Sequence, residues 1–163
     1  MKILIHDLGK EYTGYFKERF DEVFDANGKY SFCQGCFGCW ISHPGECVMN
    51  DSLKYFGASI GKANDVVVVS KNCYGSFSPE VKTILERGIG ASTPMTTIKK
   101  KETHHVARYT GHEHFKVFAY GDMSENEKET FEYVTGRTAR NYNFEKYAFE
   151  VLEDVSKLKD IEL

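Results

Sequence analysis

The chain has 163 residues, a length that one hydrophobic core can organise. Hydrophobic residues make up 41% and aromatic residues 14%, which excludes general disorder. Against 24 Asp and Glu stand 21 Lys and Arg, a formal charge of -3, which argues against a nucleic-acid partner because phosphate binding needs a basic excess.

No apolar run reaches the ~20 residues needed to span a bilayer. The opening Met1-Lys2-Ile3-Leu4-Ile5-His6-Asp7 lacks the apolar stretch and small-residue cleavage site of a secretory leader. A cytoplasmic protein with a single domain over 1–163 is expected, with no nucleic-acid and no membrane partner.

Lys2–His6 reads as a buried strand. Glu11–Phe20 reads as a short helix with Tyr12, Tyr15, Phe16 and Phe20 on one face. A weak strand is expected near Glu22–Phe24. From Ala26 to Asn50 the chain is rich in Gly and Cys, turns at Pro44-Gly45, and reads as a structured loop. Asp51–Gly61 reads as a helix capped by Asp51 or Ser52, with Leu53, Phe56 and Ile60 at helical spacing.

Asp65–Ser70 is the clearest element. Its run of valines shows no alternation, the pattern of a parallel strand buried on both faces. The loop Lys71–Phe77 leads to a helix that Ser78 caps and Pro79 opens. Val81, Ile84 and Leu85 form its inward stripe, and Gly88 ends it. Ile89–His114 reads as irregular, basic and His-rich. Phe115–Tyr120 reads as a strand, and Ser124-Glu125-Asn126-Glu127 as a capping box for a helix running to about Gly136.

Near the C-terminus, Phe144, Tyr147, Val151 and Val155 recur at helical spacing, yet aromatic and β-branched residues favour a strand over Lys146–Leu152. A short final helix capped by Asp154 would follow. The alternation of strands and helices predicts an α/β fold, a doubly wound parallel five-stranded sheet with helices on both faces.

Five cysteines include four spaced C-x2-C-x2-C-x7-C over 33–47. In a reducing compartment, clustered thiols are ligands or redox groups before they are disulfides. Cys33, Cys36, Cys39 and Cys47 have the number and spacing to give four thiolates to a [4Fe-4S] cluster. Tetrahedral zinc and unligated thiols kept for packing are the alternatives. Cys73 reads as a small buried hydrophobe or a residue beside a ligand.

His104, His105, His112 and His114 lack a carboxylate pattern for a metal and read as an exposed or subunit-facing loop. Lys99-Lys100-Lys101 reads as solvated, with attraction of dinucleotide phosphates as its functional reading. Trp40 reads as a core or interface anchor, with cover for a flat ligand as the alternative.

Two stretches carry a family resemblance over roughly the middle third of the chain. One is Cys33 to Cys47 followed by Asp51; the other is Val66–Val69, Tyr74-Gly75-Ser76, Lys82 and Glu86-Arg87. They resemble the NADPH-dependent FMN reductase and iron–sulfur flavoprotein group. Glu102-Thr103-His104-His105 and Arg108-Tyr109 add a vaguer similarity with no nameable role.

The resemblance implies a flavodoxin-like fold, FMN at the carboxyl ends of the strands, NAD(P)H as co-substrate, and a homodimer or homotetramer. It implies hydride transfer from NAD(P)H to FMN and on to a quinone-, flavin- or nitro-type acceptor, the flavin carrying the chemistry without a catalytic side chain. Asn72, Cys73, Tyr74, Gly75, Ser76 and Phe77 would sit beside the ring. Gly75 and Ser76 would permit close backbone approach, and Tyr74 or Phe77 would stack.

In the first loop, where the family carries a Gly-Ser-rich loop, the resemblance implies Gly9, Lys10 and Thr13 as the donors for the FMN phosphate. Asp7 and Glu11 in the same loop repel a phosphate. Arg87 is expected to pair with an acid such as Glu86 of a neighbouring subunit. An iron–sulfur electron carrier built on the cysteine loop and a cofactor-free interaction module are the rival functions.

Overall fold

The computed structural model describes residues 1–159. In chain order the elements are β1 (Lys2–His6), α1 (Lys10–Phe16), β2 (Glu22–Asp25), α2 (Gly38–Ile41), α3 (Phe56–Lys62), β3 (Asp65–Lys71) and α4 (Pro79–Arg87). Then come β4 (Ser92–Lys99), β5 (Glu102–Ala107), β6 (His114–Tyr120), α5 (Glu125–Asn141) and β7 (Lys146–Leu152), with short 3-10 turns at Gly88–Ala91 and Val155–Lys159. Among the described residues no helix is long and apolar enough to cross a membrane.

Five strands form one parallel sheet in the order β2-β1-β3-β6-β7, the flavodoxin-like arrangement. The valine run is its centre, as a non-alternating strand requires. Val66 and Val68 face Phe56, Ile60, Ile84 and Phe131 from α3, α4 and α5. Val67 and Val69 face the other way, into a cluster with Leu4, Phe16, Phe20, Phe118 and Leu158. Each such side chain contributes roughly 1.5–3 kcal/mol by leaving water, so the two layers close both faces of the sheet and leave its ends for a site.

Several elements depart from expectation for identifiable reasons. The first helix stops at Phe16 instead of continuing to Phe20. The Arg19 and Phe20 amides both bond back to the Phe16 carbonyl, and the turn lays Phe20 edge-on against Phe16 while Tyr15 stays exposed. The third helix begins at Phe56, not Asp51: the Asp51 carboxylate accepts from the Leu53 amide at 3.0 Å, but the residues it caps, 52–55, form turns ahead of the helix.

Ile89–His114 is not irregular: it contains the antiparallel hairpin β4–β5. Lys99 pairs with Glu102, so Lys100 and Lys101 alone make the turn, with φ of 51° and 67°. His104 and His112 are buried rather than exposed. The helix expected to end at Gly136 runs on to Asn141. Gly136 is a point of close approach, since a β-carbon there would lie 2.9 Å from Tyr147 Cζ on β7. The strand Lys146–Leu152 forms as expected. Asp154 accepts from the Ser156 amide at 2.8 Å at the start of the last turn.

Candidate functional site at the carboxyl end of the sheet

β1 and β3 lie side by side, but the chain leaves them toward opposite edges of the sheet. Their carboxyl ends therefore bound the crevice where open parallel sheets take ligands. The turn 72–77 follows β3 and is tightly tied. The Asn72 amide donates to the Tyr120 carbonyl at 2.8 Å, and its side-chain Nδ2 to the Asp122 carbonyl at 2.9 Å. Its Oδ1 accepts from the Gly75 amide at 2.9 Å.

Within this turn the expected ring neighbours separate. Tyr74 has left-handed backbone, φ 53°, and is 90% exposed. Gly75 is buried, with φ 76°, and a β-carbon there would meet Thr130 Cβ at 2.9 Å and the Glu127 carbonyl at 3.0 Å. Its close approach is to α5, not to an open ligand face. Phe77 is buried edge-on against Phe131, its ring centroid 5.0 Å away, and so belongs to the core instead of a stacking platform. Cys73 and Ser76 are half-buried.

The loop after β1 carries acid where a phosphate would need donors. Asp7 accepts from the Lys71 amide at 3.0 Å and from the Tyr120 hydroxyl at 3.1 Å. Burial, and then the Asp7 charge, push the Tyr120 pKa up. Glu11 folds back over Gly9, its oxygens 3.0 and 3.1 Å from where a β-carbon at Gly9 would lie.

Thr13 Oγ1 is shared between His6 Nε2 at 3.1 Å and the Gly9 carbonyl at 3.5 Å. His6 is fully buried; burial lowers its pKa against the opposing pull of Asp25, Asp7 and Glu11. Of the three expected donors, Thr13 is spent inside the loop, Gly9 lies under a carboxylate, and Lys10 is exposed. With Asp7 and Glu11 set against the single cation Lys10, the residues present fit the phosphate of FMN poorly.

A cavity of about 480 Å³ opens beside the turn and shares Ser76 and Phe77 with it. α4 contributes Lys82, Leu85 and Glu86, the hairpin contributes His104 and His105, and Tyr142 and Asn143 close the far side. Trp40 forms another wall. Its Nε1 donates to the Ile89 carbonyl at 2.6 Å, and its ring stacks on Phe37 and tilts toward His105. Arg108 donates to the Trp40 carbonyl at 3.0 Å, joining the cysteine loop to the hairpin.

Glu102 pins the hairpin to α5, 2.6 Å from Arg137, 2.8 Å from Arg140 and 3.1 Å from His104. Hydrogen bonds from Arg140 first, then Arg137 and His104, bring its pKa down to about 2. Sequence reasoning missed this wall. Glycine or asparagine, the usual signal of a two-residue hairpin turn, is replaced here by two lysines.

Cys33, Cys36, Cys39 and Cys47 line one small cavity together with Arg87. Burial raises the Cys39 pKa first, and the neighbouring Cys47, Cys33 and Cys36 add to it. The cavity measures about 10 Å³, barely the volume for one water molecule. Among the described residues no group of three or more His, Cys, Asp or Glu side chains is arranged to hold a metal ion. The four thiols are gathered at one cavity, but among the described residues they are not arranged as a ligand set that would support a cluster. Arg87 pairs with Asp51 of its own chain, not with Glu86 of a neighbour.

No family model matches the sequence, and no curated protein matches it. Solved structures do match. The apo form of an NADH:FMN oxidoreductase is 13% identical, with a TM-score of 0.52 over 98% of this chain and 84% of that one. An NAD(P)H:quinone oxidoreductase from Methanothermobacter marburgensis is 13% identical, with a TM-score of 0.52 over 93% of this chain and 86% of that one. The metal-soaked flavodiiron core from Synechocystis sp. PCC6803 is 10% identical at a TM-score of 0.46, and this chain spans only 32% of its length. At these identities the likeness speaks to architecture, and with the strand order it establishes that the chain has the flavodoxin-like α/β fold.

Proposed function

We propose that the chain is an NAD(P)H-dependent flavin oxidoreductase that works at the turn 72–77 and the cavity beside it. The observation that carries this reading is Tyr74. Its ring stands 90% exposed on left-handed backbone, at the carboxyl end of the central strand, in a turn locked by Asn72. A strained residue that buries nothing gives folding no return, whereas a flat ligand ring laid against it would. Two proteins of the same fold, named as an NADH:FMN oxidoreductase and an NAD(P)H:quinone oxidoreductase, support the class of reaction.

A bound flavin supplies hydride chemistry between a reduced nicotinamide and a quinone-, flavin- or nitro-type acceptor. The chain's own part is positioning. Asn72 fixes the turn under Tyr74, and the apolar cavity walls Phe77, Leu85 and Tyr142 keep water from the reactants. Lys82 at the cavity and the hairpin lysines 99–101 draw in the phosphates of the dinucleotide.

Titration of the protein with riboflavin and FMN, read by quenching of flavin fluorescence, tests the reading. Anaerobic addition of NADPH should then bleach the visible flavin band. Tyr74→Ala should weaken flavin binding about tenfold and leave the melting temperature unchanged. Absence of quenching by both flavins, or equal affinity in Tyr74→Ala, would remove the proposal.

A further inference from the structure

We infer that the site recognises a flavin by its ring alone and accepts phosphate-free and phosphorylated flavins as exchangeable substrates, riboflavin binding at least as tightly as FMN. This rests on the proposed flavin chemistry and adds what the loop after β1 does to substrate choice. The Lys71 amide at the end of β3 and the Tyr120 hydroxyl at the end of β6 are donors facing the crevice floor. Both are already taken by Asp7, a group with the same sign of charge as a phosphate. Glu11 lies over Gly9, and Thr13 is used by His6 and the Gly9 carbonyl. Asp25 adds a third carboxylate to the field at His6.

α1 has only seven residues and carries Glu11 in its first turn, a negative charge already set against the positive end of the helix. A phosphate carrying nearly two charges would have to displace Asp7 from two donors and settle beside the Asp7, Glu11 and Asp25 carboxylates, with the exposed Lys10 as the loop's single cation. Riboflavin presents the same ring without that cost. The step balances as follows: C4 of the reduced nicotinamide gives a hydride, two electrons and one proton, to flavin N5. Water supplies a second proton to N1, and NAD(P)+ and free reduced flavin leave.

The test is a fluorescence titration with riboflavin and with FMN, each at low and high salt, on the wild type and on Glu11→Gln. Glu11 is exposed, so the substitution leaves the core intact. Riboflavin should bind as tightly as FMN or more tightly. Salt should tighten FMN binding by screening the repulsion and leave riboflavin unchanged. Glu11→Gln should improve FMN several-fold without altering riboflavin. FMN binding tenfold tighter than riboflavin, about 1.4 kcal/mol, and weakening with salt would reveal a phosphate cradle and overturn the inference. If neither flavin quenches, the oxidoreductase reading falls and carries this inference with it.

Discussion

Asp51 and Arg87 meet in a two-pronged ion pair, with hydrogen bonds of 2.8 and 2.9 Å, and the arginine side chain is wholly out of solvent. The same carboxylate accepts from the Ser31 amide at 2.9 Å and the Leu53 amide at 3.0 Å, while Arg87 also donates to the Ser31 carbonyl at 2.8 Å. Both ends of the cysteine loop are thereby fastened to the last turn of α4. Removing the carboxylate strands a buried guanidinium. Asp51→Ala should cost about 3–5 kcal/mol in urea unfolding; a loss below about 1 kcal/mol would show that the pair contributes little.

Acid should loosen the hairpin. The Glu102 pKa lies at about 2 in the fold, against an ordinary 4.5. A depressed carboxylate contributes stability that is fully present above its ordinary value and disappears as pH falls through the folded value. Between pH 4.5 and about 2, the protection of the β4 and β5 amides against hydrogen exchange, relative to their intrinsic rates, should therefore fall before that of the central sheet. Glu102→Gln should show the weaker protection already at neutral pH and lose this acid response.

Gly75 is required by the helix behind it. With φ 76° and Thr130 2.9 Å from the position of a β-carbon, Gly75→Ala is both strained and crowded. It should lower stability by about 1–3 kcal/mol in thermal unfolding. Flavin affinity of the folded fraction should remain within about twofold of wild type. A stable variant with lost affinity would instead put the ligand against this glycine.

Trp40 holds the cavity wall through its bond to the Ile89 carbonyl. Trp40→Phe keeps a ring but loses one of the donors to that carbonyl, which still accepts from the Ser92 hydroxyl at 3.1 Å and the Ser92 amide. It should cost about 1 kcal/mol by denaturant unfolding while flavin quenching persists. Loss of quenching at full stability would make Trp40 a ligand contact.

Much of the architecture is legible from residue patterns. The unbroken valines of β3, the Ser78-Pro79 opening of α4, the Ser124 capping box and the β-rich run of β7 each state a local preference that the fold obeys. What escapes is set by contacts distant in sequence. Gly136 looks like a helix stop until Tyr147 is seen lying against it, and Asp51 looks like a local cap alone until Arg87 is seen paired with it. The candidate site follows the same rule. The acidic character of the first loop is visible in Asp7 and Glu11, but only the fold reveals that Asp7 occupies donors at the ends of β3 and β6. The cavity is invisible in sequence because its walls come from five separate segments.

The hairpin wall of that cavity is moored by partly exposed charges: Glu102 is 35% accessible, Arg137 35% and Arg140 41%. Dissolved ions weaken such moorings, since their field reaches only about 8–10 Å at ordinary ionic strength. The wall should therefore breathe more widely in brine than in dilute buffer, and small molecules should enter and leave it faster as the electrolyte thickens.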